Sequence, residues 1–170
     1  IVLNPAGQAW KVDAQAKLVW SKMLKPGLLL TDQKNGFVIV GKHYQVTPTD
    51  DTHLWHYDRN GDLIDEKTIV EVGKKAFIFG GVSRLGGGFT LWGKYYEASD
   101  NTLRNWIVYL NDKGAIVSDV VLGSEFALLS YDSKFIQTAS GDILGASLQY
   151  GQDESSIYMI QVNGHTPVWD

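Results

Sequence analysis

The sequence predicts an all-β chain made of repeated antiparallel units, and three observations predict it. Similar segments recur at a spacing of about 52 residues, the apolar runs are short and rich in Val, Ile, Phe, Tyr and Trp, and Gly, Asn or Asp breaks them roughly every 8 to 12 residues. No segment supports a helix of useful length. Ala14 to Leu24 carries helix-favouring residues, but it aligns with a hairpin in the next repeat, and the repeat decides the reading.

The elements follow in chain order. A first, weak copy runs from Trp10 to Trp20. Gly36-Phe37-Val38-Ile39-Val40-Gly41-Lys42 supplies an apolar strand that returns as Gly88-Phe89-Thr90-Leu91-Trp92-Gly93-Lys94 and, more loosely, as Gly141-Asp142-Ile143-Leu144-Gly145-Ala146-Ser147, at spacings of 52 and 53 residues. An aromatic-rich strand, His53 to Asp58, then meets Asp58-Arg59-Asn60-Gly61, where glycine supplies the positive φ that closes a tight hairpin into a strand from Leu63 to Val70. Trp106 to Val117 repeats this hairpin, with Asp112-Lys113-Gly114 at the turn. A fourth strand per unit is expected near Phe77 to Arg84, and a truncated copy, Ile157 to Trp169, ends the series. The whole reads as one repeat domain, 1–170, with approximate units 10–53, 54–105 and 106–156 and a partial unit 157–170.

Composition bounds the function. A chain of 170 residues buries roughly 70% of its unfolded surface, enough for a core without covalent staples. With no Cys, disulfides and thiolate metal centres are excluded, and the count suits a secreted or periplasmic setting without requiring one. A net charge of -4 argues against a nucleic-acid binder, which needs a basic face. No run reaches the roughly 18 apolar residues of a membrane span. The chain opens at Ile1 without an initiator Met or a signal-peptide pattern, so a processed, truncated or excised chain is expected.

Four antiparallel strands in about 50 residues describe a propeller blade, whose faces are buried by neighbouring blades. An apolar strand that opens with Gly-Phe and closes in Gly, an aromatic-rich strand ending in Asp-x-x-Gly, and a further apolar strand resemble the quinoprotein-like and related bacterial β-propeller repeats over roughly Trp10 to Trp169. The resemblance implies the fold and no single activity, because that superfold hosts dehydrogenases, hydrolases, lyases, assembly scaffolds and lectins. Rings close with about four to eight blades. About three periods are visible here, so the expectation is an incomplete ring, completed by another polypeptide chain or further copies. Val19 to Gly36 spans 17 residues where Ile64 to Gly88 spans 24, so a hairpin in the first repeat is expected to be shortened or a strand displaced. The alternative fold is a β-trefoil, which three four-stranded units would close; Gln8-Ala9-Trp10 resembles the Gln-x-Trp of ricin-type lectin trefoils.

The candidate site lies in the connections between second and third strands, which a propeller brings to one face. They carry Tyr44 with Asp50 and Asp51; Tyr95, Tyr96 and Glu97 with Asp100; and Tyr150 with Asp153 and Glu154. Tyr rings and carboxylates together suit a glycan, a basic peptide or a cation, while the plainer reading is strand-end packing and solvated loops. Trp92 joins this set because its counterparts, Val40 and Gly145, are much smaller; the other Trp residues read as packing between units.

Other motifs carry no chemistry. Asp58-x-Asn60-Gly61-Asp62 resembles the opening of a calcium loop, but Gly is fourth, the twelfth position is Ile69, and the hairpin turn explains the residues. His53 and His56 are three apart and so point to opposite faces of a strand. Gly80-Gly81 and Gly86-Gly87-Gly88 read as turns, with no phosphate-loop Gly-Lys-Ser/Thr following. No metal or cofactor site is predicted, and no catalytic residue is identified. The expected function is a non-catalytic binding or assembly module for a protein or glycan ligand. The alternatives are a subunit or fragment of a propeller enzyme (hydrolase, lyase or cofactor-dependent dehydrogenase) and a sugar-binding trefoil.

Overall fold

The computed structural model describes residues 1–32, 36–41, 52–69, 76–97, 102–122, 134–138, 142–150, 155–163 and 166–168. β1 (Val2–Leu3), β2 (Gln8–Val12) and β3 (Leu18–Met23) form a three-stranded sheet. Three four-stranded sheets follow: β4 (Leu28–Thr31) to β7 (Leu63–Thr68) through β5 (Phe37–Val40) and β6 (His53–Tyr57); β8 (Ala76–Ser83) to β11 (Ile116–Leu122) through β9 (Phe89–Glu97) and β10 (Thr102–Leu110); and β12 (Lys134–Gln137) to β15 (Thr166–Val168) through β13 (Ile143–Tyr150) and β14 (Ser155–Asn163). Each is an antiparallel meander in chain order, and no helix occurs among the described residues. The all-β class and the four-stranded unit hold, and Ala14 to Leu24 is a hairpin.

Local chemistry writes the same hairpin three times. Asp13, Asp58 and Asn111 each accept two backbone N–H bonds through Oδ1, from the residues two and four positions on, at 2.7–3.0 Å. The turns close on residues with positive φ: Ala16 at 61°, Gly61 at 78° and Gly114 at 75°. A bulge follows each one, where the register shifts opposite Val12, Tyr57 and Leu110. It leaves Val19, Ile64 and Val117 exposed on the outermost strands, where bulges discourage edge-to-edge pairing.

The middle strands of the second and third sheets are apolar on both faces because a sheet covers each face. β5 is buried at all four residues, while β7, at an edge, alternates little and is mostly exposed. Phe37, Ile39, Trp55 and Tyr57 pack toward the first sheet with Leu3, Trp20 and Leu24. Val38, Val40 and Leu54, on the opposite face, pack with Phe89, Leu91, Trp106, Val108 and Leu110 of the third sheet. Trp92, Ile107, Tyr109, Val120 and Leu122 then meet Phe135 of the fourth. The sheets therefore stack face to face in chain order.

Hairpin turns latch neighbouring sheets at their rims. Lys11 Nζ and Trp20 Nε1 donate to the Arg59 carbonyl at 2.8 and 3.2 Å, and Lys22 Nζ meets Asp62 Oδ1 at 2.6 Å. One sheet later Lys67, at the strand position of Lys22, donates to the Lys113 carbonyl. Both lysines are the fifth residue of their strand, which the sequence period alone does not single out.

Two expectations are corrected. Gly86 to Gly88 do form the β8–β9 turn, closed by Arg84 N–H to the Gly88 carbonyl at 2.9 Å, but Gly80 and Gly81 lie inside β8. A Cβ on Gly80 would stand 2.2 Å from Trp92 Cζ2, so the glycine makes room for an indole rather than a turn. The loose third repeat is also shifted by one residue. Thr31, Ser83 and Gln137 pair with Phe37, Phe89 and Ile143, so Ala146, and not Gly145, stands where Val40 and Trp92 stand. Gly145 is instead covered by the Phe135 ring, 2.3 Å from where its Cβ would be.

Candidate functional site

The structure places the predicted site residues unequally. Tyr44, Asp50, Asp51, Asp100, Asp153 and Glu154 lie outside the described residues. Tyr95, Tyr96 and Glu97 are the last residues of β9, and Tyr150 is the last of β13, so these belong to strands rather than to the loops beyond them. Strand parity divides the tyrosines. Tyr95 turns to the second sheet and meets the edge of Trp106 at 6.0 Å, whereas Tyr96 lies on the other face, 6.3 Å from Phe77 and tilted by 54°.

Trp92 shares the face of Tyr96 but is buried, 4.5 Å from the Phe135 ring. It is a wall between the third and fourth sheets and not an exposed stacking platform. Its Nε1, and Oγ1 of Thr90 two residues earlier, are buried without hydrogen-bond partners among the described residues. Between Trp92 and Tyr96 on the same face stands Lys94, a residue not singled out from sequence. Its ammonium lies 5.8 Å from the Phe79 ring centroid, and burial draws it below the usual lysine range. The bulge between Ile78 and Gly80 inserts Phe79 into β8 and so sets this contact.

The opposite edge carries polar pairs that link the first hairpin of a sheet to its third strand. Asp32 Oδ2 meets His56 Nε2 at 3.0 Å, and both side chains are largely buried. At the same register positions of the third sheet, Arg84 stands over the Tyr109 ring, 5.4 Å from its centroid. Burial raises the Tyr109 hydroxyl above the usual phenol range, and the Arg84 charge partly opposes it. Neighbouring sheets touch here too: Ser83 Oγ donates to the Thr31 carbonyl, and Leu85 N–H, in the turn after β8, donates to Gln137 Oε1. The chemistry changes from sheet to sheet while the position is kept, which suits closure of that edge.

His53 and His56 point to opposite faces, as their spacing predicts, and take separate carboxylates, Glu66 at 3.1 Å and Asp32 at 3.0 Å. Asp58 is occupied by its turn. No group of three or more His, Asp or Glu residues arranged to hold a metal ion occurs among the described residues. No helix long and apolar enough to cross a membrane occurs among the described residues. No protein-family model and no curated protein matches the chain.

Proposed function

We propose that the chain is a run of β-propeller blades that serves as a non-catalytic binding or assembly module, its ring completed by another chain or by further copies. The observation that carries this reading is an apolar face left open at each end of the stack. By register, Val2 and Trp10 correspond to Ile39 and Trp55, and Val12, just before its turn, corresponds to Tyr57. Ile39, Trp55 and Tyr57 are 0%, 9% and 5% exposed under the first sheet, whereas Val2 and Val12 are 57% and 43% exposed. At the other end Ile136 corresponds to Leu30, and the two are 59% and 6% exposed.

Aliphatic residues exposed at positions that are buried or half-buried in the second and third sheets are the mark of a blade awaiting its neighbour. The first sheet also has no strand corresponding to β4, β8 and β12, so its inner edge is unpaired among the described residues. Separate sheets stacked in chain order favour blades over the trefoil. In the isolated chain the exposed faces meet copies of one another. Sedimentation velocity tests this with Val12→Asp: the substitution is expected to shift the wild-type assembly toward single chains while leaving the fold intact by circular dichroism. An unchanged assembly would count against the open-face reading.

A further inference from the structure

β9 presents Thr90, Trp92, Lys94 and Tyr96 on one side, because residues two apart along a strand share a face. Register sets Phe77 and Asn105 directly beside Lys94 on the flanking strands, and Phe79 comes under its ammonium at 5.8 Å. A lysine in ordinary surroundings is hydrated or paired with a carboxylate. Lys94 is half-buried, and among the described residues neither a hydrogen bond nor a neighbouring charge accompanies the burial that depresses it.

The next two residues inward on that face are more deeply buried, and among the described residues Trp92 Nε1 and Thr90 Oγ1 have no hydrogen-bond partners. Buried polar atoms almost always have partners, and the exceptions mark places for water or a ligand. Three consecutive same-side residues thus end in a hydrogen-bond donor with no acceptor among the described residues: an ammonium and an indole N–H, which only donate, and a hydroxyl, which also can. Trp92 Nε1 and Thr90 Oγ1 are enclosed, so the half-buried Lys94 ammonium is the donor that selects an acceptor-rich anion, and the rings of Phe77, Phe79 and Tyr96 stand beside it.

We propose that this face of β9 binds a carboxylate carried on a flat or C–H-rich ring, with Lys94 pairing the carboxylate and Phe77, Phe79 and Tyr96 receiving the ring. The inference rests on the binding-module reading only in treating Tyr96 as part of a ligand face; it requires no ring completion. An aromatic acid and a uronic-acid sugar share this chemistry.

The test titrates the full chain with benzoate and with D-glucuronate, using benzyl alcohol and glucose as neutral controls, and follows the Lys94 Nζ and Trp indole resonances. One or both acids should saturate at concentrations up to about 10 mM, raise the pH at which Lys94 titrates, and bind about tenfold or more tightly than their neutral counterparts. A response to benzoate alone identifies an aromatic acid, to glucuronate alone a sugar acid, and to both the shared chemistry. Lys94→Gln should weaken acid binding by about tenfold while leaving the fold intact. Absence of a saturable Lys94 shift with either acid, or equal binding by Lys94→Gln, overturns the proposal. Acid binding by a chain that stays single would fault the ring reading and leave this one standing.

Discussion

Gly80 lies flat against the indole of Trp92, with room for no more than a hydrogen: an added Cβ would fall 2.2 Å from Cζ2 and 2.9 Å from Nε1. Trp92 in turn packs against Phe135, its ring tilted by 36° with centroids 4.5 Å apart, so one glycine in β8 sets the seam between the third and fourth sheets. Gly80→Ala is therefore expected to destabilise the fold by about 1–3 kcal/mol, as overpacking does in a filled core. Chemical denaturation followed by Trp fluorescence reads the change. A loss no larger than that of a surface Gly→Ala substitution would show that Trp92 can move aside.

The repeated hairpin offers an internal comparison. Ala16 occupies the left-handed position that Gly61 and Gly114 occupy in the next two sheets, at a φ of 61°. That conformation costs a residue with a Cβ about 1–2 kcal/mol, partly offset by the greater chain entropy that glycine loses on folding. Ala16→Gly should therefore stabilise by about 0.5 kcal/mol. Gly61→Ala should destabilise by about 1–2 kcal/mol, since its Cβ would also press on the Trp20 ring at 3.2 Å. Opposite signs for the two substitutions in thermal unfolding are the expected result.

Acid should loosen the turn that Asp58 holds. The backbone N–H of Asp62, followed by that of Asn60, holds the Asp58 carboxyl below the usual carboxylate range. A depressed folded-state value means that the contribution is complete above the unfolded value, about pH 4, and is lost as pH falls through the depressed one. Asn4 and Asn111 make the same bonds with an uncharged amide. Asp58→Asn should keep the turn and flatten the acid limb of stability against pH. An unaltered pH profile would locate the acid sensitivity elsewhere.

The latch between Lys22 and Asp62 should matter little on its own. The two side chains are 36% and 70% exposed, and ion pairs of that kind contribute about 0–1 kcal/mol. Lys22→Met should lower stability within that range, and the difference from wild type should shrink further in high salt, read by urea denaturation. A loss well beyond it would mean that the buried stem of Lys22, packed against Gly61, carries the contact.

What the sequence could disclose was what neighbouring residues decide between themselves. Asp58 and Gly61 make a hairpin through bonds spanning four residues, and the apolar run Phe37 to Val40 announces a strand covered on both sides. Gly80 and Gly81 misled because a glycine pair looks the same in a turn and beneath an indole, and Trp92, which decides the matter, lies twelve residues away. Gly141 invited an alignment one residue out of register, since the pairing of Gln137 with Ile143 is fixed across a hairpin. Trp92 and Tyr96 were legible as candidates and their shared face follows from strand parity. Lys94 was not, because its setting comes from Phe79, which a bulge on another strand delivers.

The central claim, that this chain is a stack of blades open at both ends, is tested most directly by the solution mass of the purified chain under native conditions. Light scattering should give two or more times the 18.9 kDa of one chain, with the assembly reduced by Val12→Asp. A compact, stable species of 18.9 kDa at every concentration would contradict it and show that the faces bearing Val2, Val12 and Ile136 need no partner.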